Sequence, residues 1–272
     1  MSLVSKVQIK KNSKKLLTSN DLLSARRQLL KMHFSSGVGH IGGNLSALDA
    51  LLIIFNEFLN CDKDKFILSK GHSAGALYIA LWSIGRLDEE DLRSFHMDGT
   101  LLAGHPPAKG IEEIPFATGS LGHGLSLAAG TALGYKLKAS DTQVVCLTSD
   151  GEWQEGSTWE ALIFASHHKL NKLTILVDHN NLQGFGSTAD VASMSPLWDR
   201  FKGFDIDLHV IDGHDLDAIR IALTDVQIRL KVIVLCTIKG RGISFMENRM
   251  DSHYLPLTEK QFRKAIDELD FL

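Results

Sequence analysis

"TQVVCLTSDGEWQEGSTWEALIFASHHKLNKLTILVDHNNLQG", residues 142–184, is the stretch on which the reading of this chain turns. An apolar run, "QVVCLT", empties into Asp150, Gly151, Glu152 and Glu155, and the chain then restarts with a helical pattern. A second apolar run, "KLTILVD", ends in Asp178, His179, Asn180 and Asn181. Two short Val-, Ile- and Leu-rich runs joined by a helix-length segment read as neighbouring parallel strands with a helical crossover. A surface turn needs one glycine and one polar cap, not this density of carboxylates. Ligands of open α/β sheets bind beyond the carboxyl ends of the strands, which is where Asp150 and Asn180 fall, thirty residues apart. One carboxylate, one amide oxygen and a nearby backbone carbonyl form a sparse set of hard ligands. They suit Mg²⁺, which completes its coordination with water and phosphate oxygens. A divalent ion held by so little protein charge calls for a diphosphate.

Outward from this stretch, the same alternation continues. Strands are expected at "KFILS", "LHVID" and "KVIVLCTIKG", and helices from Thr18 through "LLSARRQLLKMHF", at "LSALDALLIIFNEFL", at "HSAGALYIALWSIG", at "DEEDLRSFH" and at "LSLAAGTALGYKLKA". Two more are expected from about Asp215 to Arg229 and from about Thr258. Gly-rich "SSGVGHIGGN" is expected to break the first two helices apart. Residues 101–124, rich in Gly, His and Pro, read as a long loop, and loops of that length are usually functional or disordered. Strands alternating with helices imply a mostly parallel sheet covered on both faces, a three-layer α/β/α fold. No internal repeat and no linker-like composition break appears, so residues 18–272 are expected to form one domain. The lysine-rich start, 1–17, is expected to be a flexible basic tail.

At 272 residues, with 44% hydrophobic and 22% charged side chains, the chain can bury a large core. A net charge of −3 gives no reason to expect nucleic acid or an anionic membrane as partner. Apolar stretches such as "ALLIIF" are read as too short to span a bilayer. Three dispersed cysteines, with Cys146 and Cys236 inside apolar runs, suggest buried thiols in a reducing, cytoplasmic setting.

Taken together, "SDGEWQEGSTWEA" followed by "DHNNLQGFG" resembles the thiamine-diphosphate signature of the transketolase family, normally Gly-Asp-Gly ending about thirty residues later in Asn. "GHIGG" (39–43), "FILSKGHSAGALY" (66–78), "AGHPP" (103–107), "ATGSLGHGLSLAAG" (117–130) and "TIKGRGISFMEN" with "DSHYLPL" (237–257) occur in the family's order, so the resemblance covers nearly the whole chain.

The resemblance implies a thiamine-diphosphate-binding fold and assigns roles residue by residue. Asp150, the side chain of Asn180 and the backbone carbonyl of Leu182 would bind Mg²⁺. Gly151 would offer its N–H to the diphosphate, and His72 and His253 would donate to its oxygens. Gly119, Ser120 and Leu121 would line the cofactor. His40 and His105, with His253, would meet the sugar and move protons during C–C cleavage. That cleavage demands an electron sink which a thiazolium provides and no amino-acid side chain does. Glu155 and Glu160 would lie at an assembly interface near the cofactor, against the plain alternative of solvated acids at a helix start. The other imidazoles at 33, 96, 167, 168, 209 and 214 match no family motif and are assigned to surface or packing.

Three positions depart from the family pattern: Ser149 for the first Gly of Gly-Asp-Gly, His123 for a common Gln, and Tyr254 for the Gly after His253. The last adds bulk beside a sugar contact. The family's pyrimidine-binding and C-terminal domains find no segment here. The chain is therefore expected to be the N-terminal subunit of a split transketolase, working with a C-terminal subunit, in an α₂β₂ assembly, on a phosphorylated ketose and an aldose. Competing expectations are a 2-oxoacid dehydrogenase α-chain, a deoxyxylulose-phosphate synthase fragment or a non-catalytic relative of the fold. A generic nucleotide-binding protein is disfavoured, since no G-x-G-x-x-G opens a helix after a first strand.

Overall fold

The computed structural model describes residues 14–107 and 109–270. Its centre is a five-stranded sheet built from β1 (Lys65–Leu68), β2 (Val144–Ser149), β3 (Leu173–His179), β6 (Ile206–Asp212) and β7 (Leu230–Cys236), in the order β1-β2-β3-β7-β6. All four pairings are parallel. The register Ser149↔Asp178 sets the tips of β2 and β3 side by side, as their spacing predicts.

Alternate residues of each strand serve different cores, because strand side chains point to opposite faces. Val145 and Leu147 pack with Leu176, Ile233 and Leu235 into one core, under α1 (Ser19–Ser36), α2 (Ile41–Ile53), α3 (Ala74–Ser83), α9 (Leu216–Thr224) and α11 (Glu259–Asp270). Val144 and Cys146 pack with Ile175, Val177, Val232 and Val234 into the other, under α5 (Gly124–Leu137), α6 (Gly156–His167) and α8 (Leu197–Phe201). Two helical layers thus enclose one parallel sheet, the α/β/α arrangement expected.

The helix starts carry their own signals. Thr18 caps α1 in a reciprocal capping box with Asp21, and Asp88 does the same with Asp91 for α4 (Glu89–Arg93). Gly37, at φ +64, ends α1 in the left-handed conformation.

Several expectations are corrected. The glycines of "GHIGG" do not all lie outside helix. Gly42, Gly43 and Asn44 form the first turns of α2, and Gly42 is required there because a Cβ would come within 2.2 Å of Ser252 Oγ. The end of α2 widens into a π-turn over Ile54–Phe58, closed by Leu59 N–H to Ile54 O at 2.8 Å. Residues Ile41–Phe58 are therefore long and apolar enough to cross a membrane by length and composition, contrary to the sequence reading, yet 89% of that window is buried inside the protein. α9 stops at Thr224, five residues short of the expected end, where its last backbone carbonyls and that of Asp225 accept the buried Lys231 ammonium. Cys146 is fully buried, but Cys236 is only partly so.

Of the segment read as a tail, residues 1–13 lie outside the described residues. Residues 14–17 pack against the body. Lys15 N–H donates to Asn56 O at 3.0 Å, Lys14 Nζ to Phe58 O at 2.9 Å, and Leu17 is buried. Four small elements follow β3 that sequence periodicity did not signal: the hairpin β4 (Leu182–Gln183) and β5 (Gly186–Ser187), α7 (Thr188–Ala192) and α8. A further short helix, α10 (Asp251–Tyr254), precedes α11.

Candidate active site

The carboxyl ends of β2 and β3 open into a cleft of 460 Å³. Its floor is Ser149, Asp150, Gly151, Asn180 and Leu182. One wall comes from the long 101–123 loop, through His105, Gly119 and Leu121, and the opposite wall from His40, His72, His253, Tyr254 and Lys239. Gln183, Gly184 and Phe185 of the hairpin, with Val191, complete the rim. Nearly all the residues singled out by the sequence thus meet in one place. Ser120 does not line this cleft and is exposed between Gly119 and Leu121, which do. Glu155 reaches the rim, while Glu160 is exposed on α6.

At the floor, Asp150 accepts N–H bonds from Asn181 at 2.5 Å and Gly151 at 2.8 Å. Burial and then the charge of Asp178 push its carboxyl up to about 7, against the pull of those two N–H groups. Asp150 is 4% exposed, so the strand-tip carboxylate is buried. Leu182 N–H donates to Asn180 Oδ1 at 3.1 Å, tying the candidate ligand residues into one network. Asn181 makes the turn with φ +64, a conformation that Asn tolerates better than most residues.

Four histidines surround the cleft with His40 at their centre. Its ring centroid lies 5.7 Å from His72, 6.2 Å from His105 and 5.0 Å from His253. His40 itself is the N-cap residue of α2 with φ +64, held there by donating its N–H to His253 O at 2.8 Å. A non-glycine residue in that conformation costs of order 1–3 kcal/mol, which the surrounding packing must over-determine. Gly119, at φ +146, seats His105, since a Cβ would fall 2.9 Å from that ring.

All four imidazoles are pushed toward the neutral form. Burial leads in each case, followed by Lys70 for His72, Lys239 for His253, His105 for His40 and His96 for His105. The shift brings His253 down to about 3. Neutral rings can crowd together without repulsion, and each offers one donor and one acceptor. For His253 the tautomer follows from its neighbour. The Lys239 ammonium lies 2.7 Å from Nδ1 and can only donate, so the ring proton sits on Nε2.

The sequence reading missed a layer of buried charge beneath these groups. Asp178 is fully buried and accepts from the Lys70 ammonium, from Ser46 Oγ at 2.6 Å, from Thr237 Oγ1 and from Asn180 Nδ2 at 3.2 Å. Burial opposes its ionisation, but Lys70 and the two hydroxyls hold its carboxyl below the ordinary value of 3.8. The bond to Asn180 Nδ2 turns that residue's Oδ1 outward to the floor. Lys239, buried, also donates to Leu182 O at 3.2 Å. Glu152 is structural. It accepts from Ser69 Oγ, Gly122 N–H at 2.8 Å and Ser149 N–H at 3.3 Å, pinning three loops together. Lys70 and Lys239 sit in "LSKGH" and "TIKGRG", and those Gly-flanked lysines at strand ends were the available signal.

The cleft fits a diphosphate with a hard cation. Two buried nitrogens of residues lining it, His40 Nδ1 and Gln183 Nε2, have no hydrogen-bond partner among the described residues, as expected of a site built for a polar ligand. A cation beside Asp150 would offset the burial and the Asp178 charge that push its carboxyl up. No group of three or more His, Cys, Asp or Glu side chains suited to a metal occurs among the described residues.

The model of the family described as "Transketolase, thiamine diphosphate binding domain" matches residues 21–271. The chain is 36% identical to a 6-deoxy-6-sulfo-D-fructose transketolase subunit of Clostridium sp. (strain MSTE9), over 86% of this chain and 89% of that one. It is 34% identical to an apulose-4-phosphate transketolase subunit of Actinobacillus succinogenes, over 90% and 92% respectively. The crystal structure of Campylobacter jejuni transketolase superposes with a TM-score of 0.83 at 26% identity, covering 93% of this chain and 43% of that one. The chain therefore matches the two subunits nearly end to end but spans less than half of the full-length enzyme. With the α/β/α sheet, the strand-tip floor and the histidine wall in place, the chain belongs to the transketolase family, as its N-terminal, thiamine-diphosphate-binding part.

Proposed function

We propose that this chain is the diphosphate-binding subunit of a two-polypeptide transketolase that moves a two-carbon ketol unit from a ketose, phosphorylated by analogy with the family, to an aldose. The observation that carries the proposal is the single cleft in which the β2 and β3 tips face four neutral histidines. Asp150, Asn180 Oδ1 and Leu182 O would hold Mg²⁺. Gly151, with no side chain between its backbone and Gln183, lets phosphate oxygens approach closely. His72, and His253 through Nε2–H, would donate to those oxygens. When bound, thiamine diphosphate supplies the electron sink for breaking the ketose C2–C3 bond. His40 and His105, neutral and lodged in the opposing walls, are suited to orient the donor hydroxyls and to take or return a proton.

A partner carrying the pyrimidine-binding domain is part of the proposal, in an α₂β₂ assembly with Glu155 and Glu160 near the contact. The like-sized relatives named as subunits support it. A cytoplasmic location is proposed with it, in keeping with the fully buried Cys146 thiol, whose pKa burial pushes well up. The test is a two-carbon transfer assay with Mg²⁺, thiamine diphosphate and a ketose–aldose pair. Transfer is expected only after the second polypeptide is added, and robust transfer by this chain alone would overturn the two-polypeptide reading.

A further inference from the structure

Tyr254 stands among the site histidines without a part in holding the cofactor. Its ring centroid lies 4.5 Å from that of His253 and 6.3 Å from that of His40. Its hydroxyl donates to Gly184 O at 3.0 Å, joining α10 to the β4–β5 hairpin across the cleft.

Two glycines make this arrangement possible. A Cβ at Gly184 would lie 2.4 Å from Tyr254 Oη, and one at Gly39 would lie 2.4 Å from the Tyr254 carbonyl oxygen. Gly39 thus supports the Tyr254 backbone from behind, and Gly184 leaves room for the ring in front. Between them, the bond from His40 N–H to His253 O fixes the preceding residue. The ring therefore cannot retreat without unseating α10, and it cannot swing forward without breaking its hydrogen bond. Phe185 of the hairpin, 89% exposed, and Val191 of α7, 43% exposed, line the same cleft. The Tyr254 ring, 55% exposed, thus stands tethered at one end of the cleft beside these apolar side chains.

We infer that Tyr254 is a specificity-determining residue whose tethered ring limits how long a ketose donor can extend past His40 and His253. The inference rests on the transketolase function proposed above. A wall standing past His40 and His253 leaves a short donor untouched and crowds the distal carbons of a long one. The enzyme accordingly discriminates by donor length at this position.

The test uses the assembled two-polypeptide enzyme, with 3-hydroxypyruvate as a three-carbon donor and fructose 6-phosphate as a six-carbon donor. In Tyr254→Gly, kcat/KM for the long donor relative to the short one is expected to rise about tenfold or more, a pocket-scale change in discrimination. Affinity for thiamine diphosphate, measured by calorimetry, is expected to stay the same. Tyr254→Phe keeps the ring but loses the tie, so its ratio is expected to fall between those of the wild type and Tyr254→Gly. Amide hydrogen exchange over residues 183–187, measured on this chain alone, should then quicken. An unchanged donor ratio in Tyr254→Gly overturns the proposal, as does an equal loss with both donors in step with weaker assembly. Unchanged exchange in Tyr254→Phe refutes the tether, and with it the fixed wall. A wild-type enzyme that turns over neither donor refutes the proposed function itself, and this inference falls with it, whereas the exchange result still reports on the tether.

Discussion

Asp178→Asn isolates what the buried charge beneath the site does. The side chain keeps its size but loses its charge, and its one remaining oxygen replaces a carboxylate that accepts from Lys70, Ser46, Thr237 and Asn180. Lys70 is fully buried and keeps Gly43 O, at 3.1 Å, and at most a neutral amide oxygen in place of the carboxylate. Breaking a buried pair by removing one member costs about 3–5 kcal/mol, because the other charge stays buried without compensation. The depressed carboxyl of Asp178 means its contribution is present above the ordinary Asp value of 3.8 and is lost as pH falls through the lower folded value. Urea unfolding of this chain at pH 7 in EDTA therefore reads the full loss. A second effect is separable. Asn180 Nδ2 loses its carboxylate partner, the amide is no longer oriented, and Mg²⁺-dependent thiamine-diphosphate affinity of the assembled enzyme should fall about 10- to 100-fold. Lys70→Met combined with Asp178→Asn removes the stranded charge and should recover most of the stability but none of the cofactor affinity. A loss below about 1 kcal/mol in Asp178→Asn, or a double variant no more stable than the single one, would refute this account of the pair.

Asp150→Ala should abolish metal-dependent retention of thiamine diphosphate by the assembled enzyme, and calorimetry showing unchanged affinity would remove Asp150 from the metal site. His105→Ala should cost about 1–3 kcal/mol in kcat/KM for the ketose while sparing cofactor affinity. Equal losses in both would place His105 with the diphosphate instead. Gly124→Ala puts a Cβ 2.3 Å from Ser69 Oγ and 2.6 Å from Ser69 Cα, an overpacking expected to cost about 1–3 kcal/mol or more in thermal unfolding. His214→Ala strips Asp49 of a bond at 2.9 Å and leaves Ile238 N–H without its acceptor, so urea unfolding should show a loss of about 1–3 kcal/mol.

Much of this protein is written locally. The apolar runs at 143–148 and 172–178 could only be buried strands, and a helix-length crossover between them predicts parallel neighbours, which the Ser149↔Asp178 register bears out. The polar tips of those strands pointed to the cleft floor, and the Gly-flanked histidines to its walls. What stayed hidden depends on partners far apart in the chain. Lys70 and Asp178, separated by 108 residues, carry no local signal of pairing, and only the adjacency of the β1, β2 and β3 ends makes their burial tolerable. The glycine at 42 sits in a helix against its local propensity, and the close approach of Ser252 and Lys239 is what requires it there. The tautomer of His253 likewise comes from Lys239, whose own position is set by the turn after β7. Hydrophobic periodicity is a property of neighbours along the chain, so it specified the strands and helices. Pairing of buried charge and glycine-made contacts are properties of neighbours in space, so the tertiary structure alone decided them.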